Sequence, residues 1–159
     1  MTTIINLYGG PGTGKSTTMA KVFAYMKERG FSVEMAHEWV KLPVWAGETH
    51  VLEDQLYILA KHNRALRRLV GNVDYVVTDA PLLMSLVYSN DKTIHEIARA
   101  CYRSYSNFDV LLKREKEYAQ GGRTQNEAQA RALDVTNECM LVHEVGETLI
   151  DRDWETLGT

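Results

Sequence analysis

Residues Gly9-Gly10-Pro11-Gly12-Thr13-Gly14-Lys15-Ser16-Thr17 fit the pattern G-x-x-x-x-G-K-[ST], whose chemistry is the grip on a triphosphate. Glycines let backbone N–H groups turn inward around phosphate oxygens, where a Cβ would obstruct them. Lys15 brings a full positive charge, and the N-terminus of the helix that must follow brings a partial one. The Ser16 hydroxyl is a ligand for Mg²⁺. Gly10, Gly12, Thr13, Gly14, Lys15, Ser16 and Thr17 are therefore the expected binding residues for ATP with Mg²⁺, and Lys15 is also a catalytic group. Two carboxylates complete the set. Asp79 ends the apolar run Tyr75-Val76-Val77-Thr78 and suits the second protein contribution to the Mg²⁺ site, direct or through water. Glu38 ends the run that begins at Phe31 and suits a general base, because phosphoryl transfer to a hydroxyl needs a group to take its proton. The two roles can be exchanged. The plainer alternatives are a turn-capping Asp79 before Pro81 and a solvated charge at Glu38.

The elements that must position these groups follow from the patterning. Thr3 to Tyr8 reads as a buried strand, and Met19, Val22, Phe23 and Met26 recur as one helical face behind the loop. Gly30 stops that helix. Phe31 to Glu38 is a second strand, Trp39 to His50 an irregular segment, and Val51 to Val70 a helix closed by Gly71-Asn72. A third strand runs over Tyr75 to Asp79. Thr93 to Glu96 is a capping box that opens a helix with Ile94, Ile97, Ala98 and Cys101 inward. Phe108 to Leu112 is a fourth strand, Thr124 to Glu127 a second capping box, and Met140 to Val145 a fifth strand. Strands alternating with helices predict an α/β, doubly wound parallel sheet with helices on both faces and ligands at the carboxyl ends of the strands.

Between the fourth strand and the second box lies a charged stretch, Lys113 to Arg123, which contains Gln120-Gly121-Gly122. It reads as a lid (residues 113–124) that begins at the ligand edge and carries an arginine to the transferring phosphate. Arg123 is the first choice for that arginine, with Arg114 and Arg131 as alternatives; a solvated loop is the plainer account.

Bulk properties narrow the class. The chain has 159 residues, 45% hydrophobic and 25% charged, as expected of one globular domain over 1–159. A net charge of −3 argues against a nonspecific nucleic-acid coat. No apolar run approaches the roughly 20 residues that span a bilayer, and no signal peptide is read, so the expectation is a cytoplasmic protein without a membrane partner. Cys101 and Cys139 lack metal-ligand spacing and are expected to be reduced, packed thiols.

Taken in order, the glycine loop, strand-end Glu38, strand-end Asp79-Ala80-Pro81 and arginine-bearing lid resemble the small nucleoside and nucleotide kinases over most of the chain. More narrowly, Leu52-Glu53-Asp54-Gln55-Leu56-Tyr57 and Gly122-Arg123-Thr124-Gln125 resemble bacteriophage proteins labelled AAA-family ATPases. Those proteins are similar to ribosylnicotinamide kinases and, more distantly, to deoxynucleoside kinases. The resemblance implies a P-loop NTPase fold with strand order 2-3-1-4-5 and, for a phage-encoded protein, a place in the host cytoplasm. Some phage P-loop kinases phosphorylate hydroxymethylated pyrimidines within DNA, which keeps DNA open as a substrate. After Asp79 there is no arginine of the kind many deoxynucleoside kinases carry, so the acceptor stays open.

The helix over Val51 to Val70 bears most on that acceptor. Leu52, Leu56, Leu59, Leu66, Leu69 and Val70 share one arc, and Gln55, His62 and Asn63 fall inside it. Each polar group there must find hydrogen bonds, and the Gln55 amide can pair donor and acceptor with a base edge. Trp39 and Tyr57 can stack on a base, as can Trp45, or pack in the core. Lys61, Arg64 and Arg68 form a separate face, solvated or aimed at phosphate. The expected activity is transfer of the ATP γ-phosphate to a hydroxyl of a nucleoside- or nucleotide-like acceptor. A kinase of 5-hydroxymethylpyrimidines in DNA and a P-loop ATPase without an acceptor are the alternatives. A GTPase is disfavoured because no N-K-x-D sequence occurs, and a mechanical ATPase because the chain is short for the extra helical domain.

Overall fold

The computed structural model describes residues 1–37, 41–114, 125–146 and 149–151. Five strands, β1 (Thr3–Tyr8), β2 (Val33–Ala36), β3 (Tyr75–Thr78), β4 (Ser106–Leu112) and β5 (Leu149–Asp151), form one parallel sheet in the order β2-β3-β1-β4-β5. Thr3 of β1 sits between Tyr75 of β3 and Ser106 of β4, and the register runs on to Asn6 and Tyr8. Among the described residues six helices accompany the strands: α1 (Lys15–Glu28), α2 (Lys41–Trp45), α3 (Gln55–Arg67), α4 (Ser85–Tyr88), α5 (Lys92–Arg103) and α6 (Glu127–Glu144). This is the doubly wound α/β fold of P-loop NTPases, with the expected strand order.

Period-2 alternation assigns the two faces of the sheet. Ile5 and Leu7 of β1 join Val33, Val77 and Val110 under Met19, Val22, Phe23 and Met26 of α1, so the predicted face of that helix is the one it buries. Ile4, Val76 and Ala36 face the other way, onto Leu59 and Leu66 of α3 and Ala98 of α5. Tyr8 and Leu111 extend that second layer to Leu141 of α6. The central strands β1 and β3 are buried on both faces, as a parallel sheet between two helical layers requires.

Several sequence expectations are corrected. The stretch from Met140 to Val145 is not a strand: α6 runs through Glu144, and β5 lies beyond it at Leu149–Asp151. A run of six residues of mixed apolar character is compatible with either period. Here Leu141 is buried while Val142 is 63% exposed, with Val145 returning to the core one turn on. The helix read over Val51 to Val70 is split: Thr49–Glu53 is a 3₁₀ turn, and Asp54, accepting from Tyr57 N at 3.0 Å, caps α3 anew. The cap of α5 is Asp91, which accepts from Thr93 N at 2.8 Å, so Thr93 lies inside the first turn and does not cap it. Ile97 and Leu56, expected inward, are exposed. The capping box of α6 is Asn126 with Gln129, two residues beyond the expected pair. Neither cysteine is in a disulfide, and Cys139 is exposed, not packed. Glu38, Trp39 and Arg123 lie outside the described residues, as does most of the lid segment.

The helical assignment of the last core layer is testable. Leu141→Ala should cost about 2–5 kcal/mol of unfolding free energy, because its side chain is fully buried. Val142→Ala should stay within about 0.5 kcal/mol. Urea denaturation of the two variants reads the difference.

Candidate functional site

The carboxyl end of β1 delivers the chain directly into the glycine loop. Gly14 stands at φ 95° as the N-terminal cap of α1, a left-handed conformation that strains any residue with a Cβ. It offers no side-chain cap, and the first turn of α1 contains no acidic residue. The N–H groups and positive end of the helix are thus directed at the loop's interior, as anion binding requires. Thr13 tightens the loop: its N–H and its Oγ1 both donate to Gly10 O, at 3.3 and 2.9 Å. Lys15 arcs back over the loop and donates from Nζ to Gly9 O at 2.6 Å and Gly10 O at 3.2 Å. Its charge is therefore held against the same backbone that gathers the N–H groups.

Asp79 follows β3, the strand beside β1, and is buried. Ser16 Oγ donates to Asp79 Oδ2 at 2.7 Å, joining residues 63 apart in sequence. A hydroxyl and a carboxylate at this separation are hard oxygen donors suited to Mg²⁺. Among the described residues no group of three or more His, Cys, Asp or Glu gathers as a metal site. One hydroxyl and one carboxylate fit an ion that takes one or two protein oxygens and completes its shell with phosphate and water, which is the habit of Mg²⁺. The structure brings the loop and Asp79, assigned to one site from the sequence, into direct contact.

The helix α3 begins with another of the expected site residues. Gln55 is half-buried and donates from Nε2 to Leu52 O at 2.7 Å, so half of the amide is satisfied locally. Asn63 accepts from Tyr105 Oη at 2.7 Å and serves the core. Tyr57 is exposed, with Lys61 Nζ 5.4 Å from its ring centroid. Trp45 of α2 is exposed. His62 differs from its neighbours: its Nε2 is buried without a hydrogen-bond partner among the described residues. Burial lowers its pKa from 6.5 to about 4, opposed only partly by the Asp79 carboxylate. His62 is neutral near pH 7 and lies within electrostatic reach of Asp79.

Two arrangements escaped the sequence reading. Arg114, two residues beyond β4, pairs with Asp134 of α6, and both also bond the glycine loop. No spacing in the chain announces this, because Gly10 and Asp134 are 124 residues apart. Arg131, the other alternative arginine, instead pairs with Glu127 on the outer face of α6 at 2.9 Å. Beneath the loop, Asp109 of β4 accepts from Asn6 Nδ2 at 3.0 Å and from Tyr102 Oη at 2.6 Å. Burial raises the Asp109 pKa against those hydrogen bonds, and burial beside Asp109 raises Tyr8 and Tyr102 as well.

Comparison with known proteins supports the fold. A model of the AAA domain family matches residues 4–156. A search of curated proteins finds none that matches. Among solved structures, the deoxyadenosine kinase from M. mycoides, with products dCMP and a flexible dCDP bound, is similar with 17% identity and a TM-score of 0.56. The similarity covers 98% of this chain and 94% of that one. A protein called APE1195 is 15% identical over 99% of this chain and 90% of that one, with a TM-score of 0.47. The family match and the likeness to the deoxyadenosine kinase agree with the observed sheet: the chain has a P-loop fold of the kinase-like kind. Among the described residues no helix is long and apolar enough to cross a membrane.

The buried histidine has a consequence for stability. A His with a folded pKa of about 4 and an unfolded value of 6.5 binds more protons when unfolded. Stability should therefore be full above about pH 6.5 and fall as pH drops toward 4, by at most about 3 kcal/mol. Asp109, with its raised pKa, acts with the opposite sign, so the comparison of variants isolates His62. His62→Gln should flatten the loss measured by urea unfolding at pH 7.5 and pH 5.

Proposed function

We propose that this chain, which belongs to the AAA domain family, is an ATP-dependent phosphotransferase acting on a hydroxyl of a nucleoside- or nucleotide-like acceptor. The observation that carries the reading is the Ser16–Asp79 contact beside Lys15, which unites phosphate-binding and metal-holding groups at one sheet edge. The kinase-like fold, similar to a deoxyadenosine kinase, supports the acceptor class by analogy of fold.

In this reading the N–H groups of Gly12 and of Gly14 to Thr17 and the Lys15 ammonium hold the phosphates, and Ser16 and Asp79 hold Mg²⁺. The ion neutralises charge on the β- and γ-phosphate oxygens when bound. Glu38, from the segment after β2, takes the proton of the acceptor hydroxyl as its oxygen bonds to the γ-phosphorus and the bond to the β–γ bridging oxygen breaks. ADP leaves with that oxygen. Arg123 meets charge developing on the transferred group, and Gln55, Trp39 and Tyr57 receive the acceptor. The engagement of Asp79 with Ser16 supports the reading of Asp79 as the metal-side carboxylate, with Glu38 as the base.

One observation favours a polymeric acceptor as the second reading. Tyr57, Lys61, Arg64 and Arg68 follow one another at i, i+4, i+7 and i+11, and α3 contains no acidic residue. A stripe of that kind beside an acceptor pocket suits a phosphate backbone, as a kinase of 5-hydroxymethylpyrimidines within DNA would need.

The deciding experiment incubates the protein with γ-labelled ATP and Mg²⁺ against nucleosides, nucleotides, nicotinamide riboside and hydroxymethylated DNA. Label on a small acceptor is the expected result, label on DNA selects the second reading, and phosphate release alone makes the protein an ATPase. Lys15→Ala should reduce transfer at least about 10²-fold. Asp79→Asn should raise the Mg²⁺ needed for half-maximal rate, whereas Glu38→Gln should lower kcat with ATP binding kept. A Mg²⁺ requirement moved by Glu38→Gln alone would exchange the two roles. Gln55→Leu should raise the acceptor KM about 5- to 100-fold with the ATP Kd unchanged.

A further inference from the structure

We propose that Arg114 and Asp134 are a positioning pair for the triphosphate, fixing the first half of the glycine loop and cancelling a carboxylate charge at its edge. The proposal rests on the reading of the loop as the ATP site. Asp134, in the second turn of α6, accepts from Gly10 N at 2.8 Å through Oδ1. Taken alone, a carboxylate at that place would oppose the loop's purpose, since it sets negative charge beside a site built for phosphates. Arg114 answers it with a fork: Nε donates to Asp134 Oδ2 at 2.8 Å and Nη2 to Oδ1 at 3.1 Å. The same Nη2 donates to Pro11 O at 2.7 Å, so the pair grips two successive loop residues, one by its N–H and one by its carbonyl.

Packing shows how close this grip is. A Cβ on Gly10 would stand 2.3 Å from Asp134 Oδ1 and 2.6 Å from Ala130 O, a backbone atom of α6. Gly10 is therefore glycine for the approach of α6, whatever its part in phosphate binding. The Arg114 side chain is 5% exposed and that of Asp134 27%, so their charges are weakly screened by solvent. Removing the guanidinium leaves the Asp134 carboxylate uncompensated beside the loop, whereas neutralising both partners leaves hydrogen-bonding groups and no net charge.

This makes a charge-specific signature. MgATP affinity is measured with a fluorescent ATP analogue for the wild type, Arg114→Gln, Asp134→Asn and the double variant, each with a thermal melt. Arg114→Gln should weaken binding about tenfold or more, because the Asp134 carboxylate then faces the phosphates unbalanced. Asp134→Asn keeps an oxygen for Gly10 N–H, and it and the double variant should bind within about threefold of the wild type. Rescue of Arg114→Gln by the second substitution is a result that packing alone would not produce. Binding by Arg114→Gln within about threefold of the wild type, or a folded double variant about tenfold weak or worse, overturns the proposal. Where Arg114→Gln does not fold, the double variant, which carries two neutral amides, decides by that same limit. A wild type that does not bind MgATP overturns the nucleotide reading itself, and a wild type that binds while the variants fail the pattern overturns only the pair.

Discussion

The hydrogen bond from Ser16 to Asp79 depends on one constraint, the placement of β1 between β3 and β4. Parallel pairing puts the carboxyl ends of these strands side by side, so the loop after β1 and the carboxylate after β3 open onto the same edge. Moving β1 to an outer position would separate them by a further strand spacing of about 5 Å or more. The apolar alternation that buries β1 on both faces is thus also what assembles the candidate metal site. Ile4 holds the strand to the α3 and α5 layer, and Leu7 holds it to α1.

Polar groups in this core are placed where they stiffen the strand that carries the loop. Asn6 is nearly fully buried and bonds both Asn107 and Asp109 of the adjacent strand, while Tyr102 reaches Asp109 from α5. Such a network satisfies its members by tying β1, β4 and α5 together just below Gly9. Its partly buried carboxyl is held with a raised pKa by desolvation, so the hydrogen bonds do not fully offset the burial. Above it the loop is braced from the side by the Arg114–Asp134 pair. Phosphate-binding N–H groups can stay poised only if the backbone around them is held by something other than the phosphate.

The three polar residues on the inner arc of α3 show how differently one stripe can be used. Asn63 is consumed by Tyr105, and Gln55 gives its amide N–H to the preceding turn. His62 alone of the three keeps a buried nitrogen without a partner among the described residues, with a pKa far below the ordinary value. A pattern of spacing put all three on one face, yet their environments separate a core hydrogen bond, a helix-end contact and a desolvated neutral imidazole.

What the sequence determined by itself is the chemistry tied to short spans. The glycine loop, the helix behind it, the strand ending at Asp79 and the alternation of strands and helices are all legible, because turn chemistry and hydrophobic period act over a few residues. The resemblance to small kinases added the strand order. Met140 to Val145 was misleading for the same reason: six residues of mixed apolar character satisfy both periods, and only the packing of Leu141 and Val145 in the core selects the helix. The displaced caps at Asp91 and Asn126 belong here too, since neighbouring polar residues compete for one helix start and the tertiary path of the chain chooses. Strand-end position already put Ser16 and Asp79 at one edge, and tertiary structure supplied their direct hydrogen bond; it alone decided that Arg114 and Asp134 grip the loop and that His62 Nε2 is buried near a carboxylate. These are contacts between side chains far apart in the chain, and their existence depends on strand register and helix docking, which no local pattern encodes.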